Sequence, residues 1–169
     1  MGKAPTSYNG GPFNSVLAFT VKFSDFSVGR IIVAGTHTVE ESSIVQFGTQ
    51  FDPQPFHVDK NAATAGHWHG LIASGFHTCS IAMRLVADNI LRASESYASP
   101  GLEYVKWPAP VRAGDSLTLE VEVLGVRRSR SGKYGIVRWQ WRMTNQRSET
   151  VLDLIATSLF GLAAIEDRP

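Results

Sequence analysis

Between Leu117 and Val123 the apolar residues Leu117, Leu119, Val121 and Val123 alternate with Thr118, Glu120 and Glu122. A period of two is that of a strand with one face in the core and the other in water. After the polar segment Arg127 to Lys133, Val137, Trp139, Trp141 and Met143 alternate in the same way with Arg138, Gln140, Arg142 and Thr144, which predicts a second amphipathic strand paired with the first as a hairpin. A third run, Val151 to Phe160, is apolar on both faces apart from Asp153, Thr157 and Ser158. That pattern places it inside the sheet or at a subunit contact. Two further strands are predicted at Arg30 to Thr38 and at Leu102 to Trp107, the second stopped by Pro108 and Pro110.

The middle of the chain has another period. From Phe76 to Arg92 apolar residues run nearly all round a helix, interrupted by Arg84, Asp88, Asn89 and Arg92, so this helix is expected to be buried. Gly75 and the Ser74 hydroxyl stand at its start, where backbone N–H groups lack intrahelical partners and the dipole is positive. A shorter helix is expected over Glu40 to Phe47, with Thr38 as a cap and Glu40 and Glu41 in its first turn. One long buried helix followed by an antiparallel meander predicts an α+β domain, a sheet of about five strands curved around the helix. This is the hotdog fold. Such a sheet leaves a strand edge and part of the helix uncovered, which predicts a homodimer or a higher homo-oligomer built from dimers.

With 169 residues the chain suits one domain with a single core. The first dozen residues, rich in glycine and proline, are expected to be a flexible lead-in, leaving one domain over 13–169. Sixteen basic and fifteen acidic side chains leave a net charge of +1, too little for a global field that would hold nucleic acid or an anionic membrane. A single cysteine, Cys79, excludes an internal disulfide framework and fits the cytoplasm, and no apolar run is long enough to cross a bilayer.

The segment Phe51-Asp52-Pro53-Gln54-Pro55-Phe56-His57 holds a carboxylate and an imidazole five residues apart. Its two prolines fix φ and predict a stiff, non-helical loop. Held facing one site, the pair can take a proton from water and deliver one elsewhere. Taken alone, the spacing fits a turn aspartate and a carbonyl-bonded histidine better than a catalytic pair.

The same segment resembles the hydratase signature of the MaoC-like dehydratases, the family of (R)-specific enoyl-CoA hydratases: Asp-x-Asn-Pro-aliphatic-His, five residues, then Ala or Ser. Here Asp52, Pro55, His57 and Ala63 match. Downstream, Leu71 to Gly75 is similar to the aliphatic-small-His-Gly start of the family's central helix, and Pro110-Val111-Arg112-Ala113-Gly114-Asp115 to its Pro-Val-x-x-Gly-Asp turn. Gln54, Phe56 and Ser74 depart from the family's usual Asn, aliphatic residue and His, which bears on substrate choice. The resemblance spans Val28 to Phe160. It implies hydration of a trans-2-enoyl thioester, or dehydration of a 3-hydroxyacyl thioester. Asp52 and His57 would activate one water, and the N–H of Gly75, beside Ser74, would polarise the thioester carbonyl. It implies no metal or organic cofactor, coenzyme A being part of the substrate. A thioesterase and a non-catalytic acyl-binding module are the alternative readings on the same fold.

Other features read more plainly. His67 and His69, near His57, His77 and Asp59, raise a metal site that lacks a full ligand set. Arg127, Arg128, Arg130 and Lys133 form a solvated basic turn. Trp139, Trp141 and Cys79 are expected in the core.

Overall fold

The computed structural model describes residues 21–162; the expected flexible lead-in, residues 1–12, lies outside them. After a 3-10 turn at Phe23–Asp25, strand β1 (Ile31–Thr38) leads into helices α1 (Glu41–Phe51), α2 (Pro55–Val58), α3 (Lys60–Ala65) and α4 (Gly75–Val86), and strands β2 (Ser96–Lys106), β3 (Ser116–Arg128), β4 (Tyr134–Thr144) and β5 (Thr150–Gly161) follow. The strands form one antiparallel sheet in the order β1-β3-β4-β5-β2. With α4 laid against its apolar face, this is the hotdog fold that the hydrophobic pattern predicts.

Register explains the two alternating strands. Leu119, Val121 and Val123 stand opposite Met143, Trp141 and Trp139, and these in turn stand opposite Leu152, Leu154 and Ala156 of β5. All nine side chains are buried. They share one core with Ile81, Ala82, Leu85 and Val86 of α4, each fully buried aliphatic side chain contributing about 1.5–3 kcal/mol. Trp139 packs edge-on against Phe26, with ring centroids 5.6 Å apart, and Trp141 is buried beside it, as expected. On the outer face Glu120 faces Arg142, and Glu122 faces Gln140. β5, apolar on both faces, lies between β4 and β2 and is no edge. At its start the register slips between Met143 and Thr144, so Val151 is left over between their partners Leu152 and Thr150.

Several boundaries differ from the sequence expectation, each for a local reason. β2 begins at Ser96 rather than Leu102. It is an edge strand with three register shifts, exposed along its first eight residues, and has no alternation to betray it. α1 continues to Phe51 and stops at Asp52, which Pro53 follows. Its cap position is Glu40, not Thr38, and no side chain closes it; the Ser43 hydroxyl donates instead to the Glu40 carbonyl. The long helix is α-helical only to Val86 and ends in a π-helical turn, Ala87–Leu91. The expectation that Asp52 to His57 is wholly non-helical is corrected. Proline suits the first helical position, because the N–H it lacks would have no partner there. Pro55 therefore opens α2 instead of preventing it.

Candidate active site

Asp52 ends α1, and its N–H donates to the Gly48 carbonyl at 2.9 Å. Three residues further on Pro55 starts α2, which turns the His57 ring back towards that carboxylate. Nε2 of His57 lies 3.3 Å from Oδ2 of Asp52. The two helices touch because residue 48 is glycine: a Cβ there would stand 2.9 Å from Val58 and 3.0 Å from the His57 Cβ. Only a residue without a side chain lets α1 pass this close, and the sequence reading did not single it out.

His57 is 4% exposed, and its Nδ1 lies 2.7 Å from the Ile72 carbonyl oxygen. A carbonyl can only accept, so Nδ1 carries the proton and donates. In the neutral ring Nε2 is then an acceptor facing a carboxylate, and two acceptors at this distance have complementary demands for the hydrogens of one water. The Ile72 N–H donates to the Phe56 carbonyl at 3.1 Å. One residue therefore grips α2 through both its N–H and its C=O, and Ala73 N–H, donating to the Val111 carbonyl at 2.8 Å, ties the same segment to the turn before β3.

The Asp52 carboxyl is held below the ordinary carboxylate range, first by the Ser74 hydroxyl and then by the Gln54 amide, with His57 adding a smaller attraction and partial burial opposing all three. Gln54 Nε2 donates to Oδ1 at 2.8 Å, leaving Oδ2 turned to the imidazole. Gln54, the longer amide at a position where asparagine is usual in the signature, thus braces the catalytic candidate directly. The Ser74 hydroxyl is fully buried, directed at the carboxylate, yet falls short of full hydrogen-bond geometry with any described atom.

Ser74 is also the cap residue of α4, although its hydroxyl makes no bond to that helix. Thr78 N–H donates to the Ser74 carbonyl at 3.1 Å, and among the described residues the N–H groups of Gly75, Phe76 and His77 find no acceptor. These are the open donors a developing oxyanion requires. Gly75 has a second reason to be glycine. A Cβ there would meet the indole of Trp107 at 2.5–3.0 Å, so the space of a side chain is already taken. Close approach to a ligand, the reason the sequence suggests, accounts for only part of this choice.

His57 and Gly75 line a cavity of about 320 Å³, together with Trp68, Thr78, Trp107 and Val151. Asp52 and Ser74 stand beside it, not on its wall. The walls are apolar, and sequence reasoning missed both tryptophans: Trp68 falls in a histidine-rich loop, and Trp107 just past an edge strand. The guanidinium of Arg112 fixes the first wall, donating from Nη2 to the Trp68 carbonyl at 2.7 Å. His67 packs against Trp68, and His69 adopts φ 53° in the same loop. Among the described residues no group of three or more His, Cys, Asp or Glu is placed to hold a metal ion. His77 is buried and stacked on Phe47 at 4.9 Å, with Nδ1 unpartnered among the described residues. Burial keeps its pKa low, with His37 and His57 adding to the effect. None of Arg127, Arg128, Arg130 and Lys133 lines the cavity.

Known proteins share this fold. The crystal structure of the MaoC-like dehydratase from Rhodospirillum rubrum superposes with a TM-score of 0.76 at 37% identity, covering 86% of this chain and 97% of that one. The R-hydratase PhaJ1 from Pseudomonas aeruginosa, at 24% identity and a TM-score of 0.67 over 82% of this chain and 84% of that one, shares the fold. In sequence, an (R)-specific enoyl-CoA hydratase of Rhodospirillum rubrum is 30% identical over 95 residues, 53% of this chain and 60% of that protein. The uncharacterised YdeM protein of Bacillus subtilis is 29% identical over 79% of this chain and 94% of its own length. The model of the MaoC-like domain matches residues 26–141, a span that runs from Phe26 through Asp52, His57 and the start of α4 into β4, and the chain belongs to that family.

Proposed function

We propose that the protein is a hydro-lyase that adds water reversibly to a trans-2-enoyl thioester, with coenzyme A as the carrier, to give the 3-hydroxyacyl thioester. The observation that carries this reading is the pairing of two acceptors, Nε2 of His57 and Oδ2 of Asp52, 3.3 Å apart, with the N–H of Gly75, which finds no acceptor among the described residues, at the same cavity as His57. One water donates to both acceptors. As its oxygen bonds to Cβ, Nε2 takes one of its protons and the other stays on the new hydroxyl, held by Asp52. The π electrons of the double bond move onto the thioester oxygen, where the Gly75 N–H stabilises the enolate. The imidazolium, stabilised by the carboxylate, then gives its proton to Cα. Dehydration is the same path reversed. These steps need proton transfers and an oxyanion donor, which the chain itself supplies, and coenzyme A enters only with the substrate. The dehydratase and (R)-hydratase relatives support both the reaction class and the (R) product.

The catalytic unit in this reading is at least a homodimer. Phe76, Met83, Tyr97, Leu102 and Trp107 are large, apolar and 43–68% exposed along one side of α4 and the free edge β2, a surface that a second copy would cover by strand pairing. Sedimentation at micromolar concentration should show a dimer, and a monomer would contradict it.

Loss of enoyl absorbance with an enoyl-CoA, unaccompanied by free thiol, tests the reaction. Release of thiol would mean a thioesterase instead. Turnover that survives both Asp52→Asn and His57→Ala would sink the mechanism.

A further inference from the structure

The cavity beside His57 is followed by a second, of about 330 Å³, lined by Cys79, Met83, Leu102, Trp141, Leu154 and Ala156. The two succeed one another along the same pair of elements. On α4 the first takes Gly75 and Thr78, the second Cys79 and Met83; on β5 the first takes Val151, the second Leu154, Ala156 and Ser158. Trp107 borders only the first and Cys79 only the second. The Trp107 side chain reaches the Cys79 thiol, lies on the bare Cα of Gly75 and meets the ring of Phe76 at 5.7 Å.

Resting on the hydratase reading of the first cavity, we propose that Trp107 is a specificity-determining residue: its indole closes the acyl pocket off from the second cavity and restricts the enzyme to short acyl chains. The second cavity is the space a longer chain would enter if the wall were removed. Its lining is suited to methylenes, since aliphatic and aromatic carbon dominates, and the few polar groups are hydroxyls, a thiol and the indole of Trp141. Trp107 acts on the acyl tail and not on proton transfer, because the acid/base pair is held by Gln54, Ser74 and Ile72.

The test compares crotonyl-CoA, hexenoyl-CoA and decenoyl-CoA as substrates of the full chain, with Trp107→Ala and Trp107→Leu; the second keeps an apolar group over Gly75 should the first fold poorly. Wild-type kcat/KM should fall with chain length. In both variants the ratio of kcat/KM on decenoyl-CoA to that on crotonyl-CoA should rise about tenfold or more over wild type, whatever happens to the absolute rate, the size of effect pocket volume ordinarily exerts. Calorimetric titration with saturated butyryl-, hexanoyl- and decanoyl-CoA reads the same pocket without chemistry. Unchanged chain-length dependence of both turnover and binding in the variants overturns the role of Trp107. If wild-type protein hydrates none of the enoyl esters, the hydratase reading fails instead, and the binding series still decides whether Trp107 sets the length of acyl chain admitted.

Discussion

The β3–β4 hairpin and the start of α4 are both buried, but they solve opposite problems. At the centre of the hairpin's inner face the side chains are apolar except for two indole N–H groups, and Leu119, Val121 and Val123 stand opposite Met143, Trp141 and Trp139. At the start of α4, His57, Ser74, His77 and Thr78 make up four of the seven buried polar residues described, and two of their polar atoms lack partners among the described residues. An unsatisfied buried polar atom costs about 1–3 kcal/mol. The hairpin tolerates this at the tip of a tryptophan whose body contributes more than that. At α4 the cost falls on small polar groups, which is expected where binding, not folding, completes the hydrogen bonds.

Substitutions should therefore separate stability from turnover, and the largest effect belongs to the acid/base pair. His57→Ala should lower kcat for enoyl-CoA hydration by about 10²–10⁴-fold while leaving the denaturation midpoint far less affected than a core substitution does. Trp139→Ala should do the reverse, destabilising the protein by about 3–5 kcal/mol in urea titrations with kcat per folded molecule preserved. Gly75→Ala should affect both, because its methyl group meets the Trp107 indole. Overpacking of this kind costs about 1–3 kcal/mol, and displaced donors should reduce kcat more than they raise KM.

Two smaller effects are read from pH. Ser74→Ala removes the main cause that depresses the Asp52 pKa. The acid limb of kcat/KM should then move up, towards the ordinary carboxylate range, and an unmoved limb would show that the hydroxyl does not act on Asp52. The native carboxylate stabilises the fold above its unfolded pKa, a contribution lost as pH falls through the lower folded value, so this variant should be less stable near neutral pH and should lose less stability than the wild type on acidification. His77 is depressed in the other charge class. The unfolded chain takes up a proton there before the native one does, and stability is lost as pH falls below the ordinary histidine range. His77→Phe, which keeps the stack on Phe47, should lose less stability between neutral pH and about pH 5.

The sequence made the hairpin readable because burial there repeats every second residue, and α4 readable because its apolar residues run round a full helix. The first half of β2 lacked any such signal, being an exposed edge containing Pro100 and Gly101. Asp52, His57 and Gly75 could be proposed from a resemblance and from helix-end electrostatics. Their supports could not. Ile72 offers only its backbone, Gly48 matters for what it lacks, and Trp107 meets Gly75 only through tertiary packing.

The double hydrogen bond of Ile72 to Phe56 and His57 has an evolutionary consequence. It joins Asp52 and His57 and the start of α4 into one mechanical piece, so the proposed site moves, or fails to move, as a unit. The tryptophan walls come from other segments, Trp68 from the loop before α4 and Trp107 from the end of β2. Mutation can therefore explore new substrates at the walls while the reacting groups keep their mutual positions, which is how one reaction can diversify over many acyl chains without being reinvented.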